Sequence, residues 1–457
     1  MQGKIILHLS ILWLSVILLS CINDDVTDDA AVQPRFSCEV LDMGTVFTES
    51  SSRVYGFLVY NRDKNGIVIS SIAFRDEAMS DKFILNVDGV PGTDFENVEI
   101  RGEDSIYVFV EAVLPSVGTP EPVRISTPLD FKTNGVRSTV LIEATAQDVV
   151  YVGSENLEGV TEWDSRYPYN IRGNVIVPEG STLKIASGTR LYFYYGAGLY
   201  VFGHLVVEGT CDAPVQMRGD RFGNIVYPIP YDVVPGQWWG IELSGPSSDC
   251  VMSYATVDNT KVGIMTDGTP RLSLLNCRLR NSSLSVLLTT DTDVTAVGCE
   301  FSGAPSGVVV LDGGRHIFNH CTIANDYIFS PVQGALLTVK SADTEVTVSN
   351  SIMYGLGPLL APADIAGRSV SFKHCLLKSG GSDGTNFSEI LWGVDPRFDV
   401  STEEYRFDYR LTSGSPAIAA GDASLSLPES SVDFYGLRRG ATPDLGAYVY
   451  SDAPQSN

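Results

Sequence analysis

Four aspartates, Asp291, Asp293, Asp312 and Asp343, come nearest to a polysaccharide-cleaving chemistry in this chain. A glycoside hydrolase needs two carboxyl groups flanking one bond, one as acid and one as base or nucleophile. A lyase acting on acidic polysaccharides instead needs acidic calcium ligands together with an Arg or Lys as base. All four aspartates fall where short strands turn, and a solvated turn accounts for Asp there without any chemistry. No Asp pair followed by Gly-His-Gly occurs, and no Arg-x-Pro-x-x-Arg segment. His320 and His374 each stand just before a cysteine, where Asn276 and Asn350 stand elsewhere, so a polar ladder at a chain bend is preferred to catalysis. His316 replaces an apolar residue and reads as a satisfied core histidine.

Cysteine chemistry is similarly muted. Cys277, Cys299 and Cys321 recur every 22 residues with no Cys-x-x-Cys spacing. A column with one thiol per repeat does not wrap a tetrahedral ion. Stacked at the ~4.8 Å strand spacing, its Cβ atoms are too far apart for a disulfide, which wants about 3.8 Å. The expected state is a buried ladder of reduced thiols with no metal. The binding chemistry with most support is aromatic: Phe222, Tyr227, Tyr231, Trp238 and Trp239 lie between Gly219 and Gly240, among Pro228, Pro230 and Pro235. Exposed rings make platforms for the C–H faces of sugars.

The element that positions these residues is a repeated coil. Ala255, Cys277, Cys299 and Cys321 share one register, followed two residues later by Val257, Leu279, Phe301 and Ile323. Five and three residues before them come Cys250 and Met252, Leu272 and Leu274, Val294 and Ala296, His316 and Phe318. The same frame returns at Val346, Val348, Ser351 and Met353, and again at Val370, Phe372, Cys375 and Leu377. Period-2 pairs on either side of a two-residue corner exclude a helical solenoid, whose apolar spacing is three and four. They predict a parallel β-helix of about ten coils, in which each coil buries its apolar face only against a neighbour. On this frame Phe301 points inward and Glu300 outward to solvent.

Before the coils, residues 36–147 read as a β-sandwich of about seven strands, immunoglobulin-like in its arithmetic but without the disulfide and core Trp of antibody domains. Phe57, Val59, Ile67 and Ile69 around Asn61 to Gly66 suggest a hairpin. Asp88-Gly89 and Asn134-Gly135 are further turn signals. The whole is all-β, and no titratable cluster marks the sandwich.

The chain has 31 Lys and Arg against 55 Asp and Glu, a net charge of −24, which excludes the basic face that nucleic-acid binding requires. The 15 apolar-rich residues from Ile5 to Leu19 follow Lys4 and are short for a membrane span, which needs ~20. The run ends in Leu18-Leu19-Ser20-Cys21, which resembles the bacterial lipobox. That resemblance implies a signal peptide over 1–20, lipid on Cys21, and attachment to the membrane through the lipid alone. An acidic stretch over 21–35 then reads as a flexible tether, similar to the export signal of surface-displayed lipoproteins. Outer-membrane attachment at the cell surface is expected, with a periplasm-facing lipoprotein as the alternative.

From residue 148 to 450 the sequence resembles a family of bacterial right-handed parallel β-helix surface lipoproteins with a pectate-lyase-like fold. The matching pieces are Gly188-Thr189, Gly219-Asp220-Arg221, Pro235-Gly236-Gln237-Trp238-Trp239-Gly240-Ile241, and an ending with Gly414-Ser415-Pro416-Ala417-Ile418, Gly421-Asp422, Asp433, Gly436 and Pro443 through Tyr448. The resemblance implies the fold and says almost nothing of activity. It makes the ending a C-terminal cap against edge-to-edge stacking, leaving 451–457 as a tail. It also favours a lid packed on the coils over a sugar platform for the aromatic insertion. The expectation is a monomeric surface lipoprotein whose β-helix is a binding or structural module, for a glycan or another envelope component. Candidate glycan contacts are Trp238, Trp239, Tyr231 and Tyr227. The alternative is a polysaccharide lyase or glycoside hydrolase, with calcium only under the lyase reading and no other cofactor. Convergent acidic or basic groups from adjacent coils would distinguish it.

Overall fold

The computed structural model describes residues 25–226 and 228–452, so the signal segment, Cys21, Tyr227 and the last five residues lie outside it. The described chain is all-β apart from short 3-10 turns and divides into two compact units, 1–148 and 149–457.

The first unit is a β-sandwich of two five-stranded sheets. One holds Arg35–Phe36, Tyr55–Tyr60, Ser105–Ala112, Phe83–Val87 and Val90–Gly92. The other holds Val40–Phe47, Val136–Gln147, Val123–Thr133, Ile67–Phe74 and Phe95–Ile100. Alternation along each strand sends Phe57, Leu85, Val108, Ile69, Phe131 and Ile142 into one core. The Asn134-Gly135 and Asp88-Gly89 pairs close two-residue hairpins with positive φ at every turn residue.

Two local expectations fail. Tyr55–Tyr60 and Ile67–Phe74 do not form a hairpin, because they belong to opposite sheets. Segment 61–66 crosses between the sheets instead. The buried Asn61 amide anchors it, donating to the carbonyls of Asn65 (2.8 Å), Arg101 (2.9 Å) and Ile100 (3.1 Å). The acidic stretch is also not a free tether from Asp25 onward. Val26 bridges Gly66, and Asn134 donates to the carbonyls of Asp29 (2.9 Å) and Val32 (3.2 Å).

The second unit is a parallel β-helix. A nineteen-stranded sheet wraps two faces of the coil and a nine-stranded sheet makes the third. The inward columns pair in the expected register: Leu272, Val294, His316, Val346 and Val370 stack in order, as do Val257, Leu279, Phe301, Ile323, Met353 and Leu377. All are buried in one continuous core apart from His316, which sits in the same column as a buried polar residue.

The bend between the two faces of the larger sheet explains the residues before the cysteine column. Tyr254, Asn276, Gly298, His320, Asn350 and His374 all have φ between 45° and 66°. That left-handed conformation is tolerated best by Gly and Asn. The corner therefore selects these residues for backbone shape.

Cys250, Cys277, Cys299, Cys321 and Cys375 are free and fully buried. The Sγ atoms of Cys277, Cys299, Cys321 and Cys375 donate to carbonyls, as from Cys299 to Val297 (3.3 Å), and burial pushes the Cys375 thiol up to about 12. A thiol held protonated and shielded is inert. Iodoacetamide is therefore expected to leave the buried five unlabelled until denaturant is added, while exposed Cys211 reacts at once. Labelling of Cys299 at the rate of Cys211 in the native protein would contradict this packing.

The C-terminal end of the core is closed by Phe387–Trp392, paired on Val370–Leu377 with Phe387 stacked on Phe372 at 5.1 Å. The ending expected to cap the rod does something else. After the hairpin of Phe398–Ser401 with Arg406–Leu411, the chain runs back along the flank as a strap. Its stations are the corner residues. Asn350 exchanges hydrogen bonds with Asp422 (2.8 Å each way), His320 bonds the Ser426 hydroxyl (2.8 Å), and Asn276 donates to Val432 (3.2 Å). Burial and the charge of Arg439 push His320 down to about 2, so it stays neutral. Two satellite apolar clusters glue strap to flank, one around Ile352, Leu376 and Leu445, the other around Ala324, Tyr409, Phe434 and Tyr448. The family-like motif residues Gly421, Asp433 and Gly446 are thus fittings of the strap. Buried Asp433 accepts from the backbone of Tyr435, Leu437 and Val449, each at 2.9 Å.

Candidate functional site

The two adjacent tryptophans, Trp238 in an isolated parallel bridge to Thr260 and Trp239 just ahead of the strand Ile241–Ser244, differ in burial. Trp238 turns inward. It is 1% exposed, lies parallel on Phe193 at 3.9 Å, and its indole N–H donates to the Asp258 carbonyl at 2.8 Å. Tyr231 is buried too, with its ring under Arg221, so neither residue is a platform. The insertion folds back as a lid: the Gln237 amide donates to the carbonyls of Tyr231 (2.6 Å) and Val234 (2.8 Å).

Trp239 turns outward and is only partly buried. Its indole N–H reaches Glu242 at 3.3 Å, and the Lys261 ammonium lies 4.5 Å from the ring centroid. Gly198 leaves room for two side chains, since a Cβ there would lie 3.0 Å from the Trp239 Cβ and 3.1 Å from the Tyr200 ring. Around the same coil, Tyr194, Tyr195 and Phe202 are 52%, 70% and 42% exposed. Tyr194 and Tyr195 precede and Phe202 follows the third-face strand Gly198–Val201, which carries Tyr200, while Glu242 and Lys261 stand beside Trp239. The sequence marked Trp239; Tyr194, Tyr195, Tyr200 and Phe202 were missed because they lie inside a repeat read only for its inward residues.

The four turn aspartates do not converge. Asp293 accepts from the Arg315 backbone N–H (2.8 Å), Asp312 from the Ser341 hydroxyl, Asp291 sits at a left-handed corner, and Asp343 is exposed. His316 donates to the Gly313 carbonyl at 2.7 Å inside the core.

Charged groups gather instead beneath the strap. A cavity of about 390 Å³ is walled by the flank of successive coils, by Asp232 and Val233 of the insertion, by the loop with Asp326 to Phe329, by the hairpin tip from Tyr405 to Tyr409, and by Tyr435 and Tyr448. On the flank, Arg278 stacks on Glu300 and Asp258 on Arg280, one coil apart. Asp258 and Arg280 form a two-pronged ion pair at 2.8 and 2.9 Å. Glu300 is not solvent-facing as alternation suggested: at 3% exposure, it accepts from Ser302 (2.6 Å) and from the Tyr448 hydroxyl. Arg278 lies against the rings of Phe434 and Tyr435 and donates to the Tyr435 hydroxyl at 2.9 Å. Burial pushes the Asp326 carboxyl up, an effect that a Tyr409 hydrogen bond and the charge of Lys378 only partly offset.

This constellation was latent in the sequence. Arg278 and Arg280 flank inward Leu279, and Glu300 and Ser302 flank inward Phe301, so the repeat itself stacks opposite charges. What was hidden is the strap that covers them.

Among the described residues no three of His, Cys, Asp and Glu are grouped so as to hold a metal ion. The cavity carboxylates do not fit calcium either, since Asp258 is taken up by Arg280 and Glu300 by Tyr448 and Ser302.

A right-handed β-helix region is the family model that matches the chain, over residues 239–388. No curated protein matches it. Among solved structures, one from Clostridium perfringens, described in a study of glycolipid glycan hydrolysis by a family 123 glycoside hydrolase, is similar at 4% identity and a TM-score of 0.19. That likeness covers 25% of this chain and 26% of the other. A protein of unknown function from Porphyromonas gingivalis W83 is similar at 12% identity and a TM-score of 0.19, covering 28% of this chain and 60% of the other.

Proposed function

We propose that this protein is an outer-membrane lipoprotein, anchored through Cys21 and displayed at the cell surface, whose β-helix binds a glycan on the aromatic surface around Trp239. The observation that carries the reading is the exposure of Tyr194, Tyr195 and Phe202 on one coil, with Tyr200 and the partly exposed Trp239 both close to Gly198. Rings with a carboxylate and an ammonium at their edge suit a ligand with apolar C–H faces and hydroxyl rims. A polyanionic glycan would meet repulsion from a chain of net charge −24, so neutral polysaccharides are the favoured class.

Affinity electrophoresis of the full-length protein in gels carrying soluble neutral polysaccharides tests this. Retardation is expected for the native protein, with about tenfold weaker binding in Trp239→Ala or Tyr195→Ala, equivalent to ~1.4 kcal/mol, and little change in melting temperature. A native protein that no neutral polysaccharide retards, or variants retarded equally, would reject the aromatic surface as a glycan site. The anchor has its own test. Cys21→Ser is expected to move the protein from the membrane to the soluble fraction, and persistence in the outer membrane at high salt would refute a lipid-only attachment.

The enzyme alternative finds charged groups from adjacent coils in the cavity, but paired-carboxylate hydrolysis needs two groups free to act. Only the Asp326 carboxyl lacks an arginine or a full set of donors among the described cavity carboxylates. No new reducing or unsaturated ends are therefore expected from a polysaccharide panel, with or without calcium; their appearance would move the function to catalysis.

A further inference from the structure

The strapped cavity is separate from the aromatic surface, and its chemistry differs. Its lining has five carboxylates (Asp232, Asp258, Glu300, Asp326, Asp408) and three guanidiniums (Arg278, Arg280, Arg406), so its formal charge is 3 − 5 = −2. The guanidiniums have takers: Arg280 pairs with Asp258, Arg406 with Asp399 and Glu404, and Arg278 lies on Phe434 and Tyr435. Asp232 pairs with Arg218 and Asp408 with Arg410. Glu300 has no ion pair but accepts from Ser302 and Tyr448, which leaves Asp326, bonded by Tyr409, as the cavity carboxyl without a cation or a second donor. Among the described residues it has no ion pair, and Lys378, the cation whose charge reaches it, is turned to the carbonyls of Gly355 and Gly357. The same lining holds Tyr327, Tyr405 and Tyr409, the last bonded to Asp326, and Tyr435, whose ring already meets Arg278 and Arg410.

A partly buried carboxyl without a cation, in a cavity whose lining includes several tyrosines, is an arrangement that a cation stabilises twice. It supplies the missing charge partner, and aromatic faces attract ammonium groups. A neutral ligand would gain only from the rings. The volume suits a molecule of one or two sugar rings or a short chain, within the ~300 to 1,000 Å³ common for small-molecule sites. We propose that this cavity binds a small ligand carrying a protonated amine, its ammonium paired with Asp326 and its carbon skeleton held among the four tyrosine rings. The shared chemistry is the amine; an amino sugar and a linear diamine are its two sources.

Titration calorimetry of the full-length protein at neutral pH with glucosamine, N-acetylglucosamine and putrescine tests this. Glucosamine or putrescine is expected to bind, and whichever binds more tightly identifies the source. N-acetylglucosamine, the same ring without the charge, is expected to bind at least tenfold more weakly than glucosamine. Asp326→Asn should weaken amine binding at least tenfold while the melting curve confirms folding; if that variant does not fold, Tyr405→Ala at the hairpin tip provides the same comparison. Trp239→Ala should leave amine binding intact, so failure of the glycan surface and failure of the cavity are separable. Absence of heat with both amines, equal binding of N-acetylglucosamine and glucosamine, or unchanged affinity in a folded Asp326→Asn protein would each overturn the proposal.

Discussion

Replacing Trp238 with alanine is expected to destabilise the β-helix by about 3 to 5 kcal/mol, the usual cost of emptying a large buried aromatic site. The indole is enclosed, lies flat on Phe193 and gives its N–H to Asp258. Alanine therefore leaves a void between coils and an unmet carbonyl together. Asp258 also pairs with Arg280, so the damage should reach the cavity wall. Denaturant melts provide the measurement, and Trp239→Ala is the control one residue away. A loss below ~1 kcal/mol at Trp238, or equal losses at both, would mean that the inside and outside of this segment are wrongly assigned.

The second large effect falls on adjacent residues for different reasons. Phe301→Ala is expected to cost ~3 to 5 kcal/mol by removing a core ring packed edge-on to Phe318. Glu300→Ala should cost roughly 2 to 4 kcal/mol, because it strands the hydroxyls of Tyr448 and Ser302 and removes a negative charge that helps to hold Arg280. Without the strap, Glu300 would be an exposed residue worth about 0.5 kcal/mol or less. Tyr448→Phe separates the two accounts. It should lower stability in the native background and change little once Glu300 is already alanine. A near-zero cost for Glu300→Ala would show that the strap does not close over this coil.

The contrast between these residues marks the limit of what the sequence conveys. Inward columns were legible because a β-helix repeats its geometry, so Leu279, Phe301 and Ile323 had to occupy equivalent positions and carry equivalent chemistry. The left-handed corner was half legible: Asn276, Asn350, His320 and His374 were read as a polar ladder at a bend, but the positive φ that the bend imposes on all four was not. The strap was opaque. It does not repeat, it pairs by side chains with coils far upstream, and its Gly and Asp positions read as punctuation. Alternation says which way Glu300 points and cannot say what lies above it. The separation of Trp238 from Trp239 was not legible, because the insertion gave no frame in which to count.

The strap also sets an order of events for the chain. Coils stack on neighbours about one repeat away in sequence, so the rod can assemble progressively from its N-terminal side as residues are made. Tyr448 must reach back 148 residues to meet Glu300, and Asn276 waits for a carbonyl 156 residues downstream. The flank therefore stays open until the strap has been made, and Glu300 and Ile352 wait for Tyr448 and Leu445 to cover them. Closure of the flank is thus a late, long-range step that ties together coils already stacked on their neighbours.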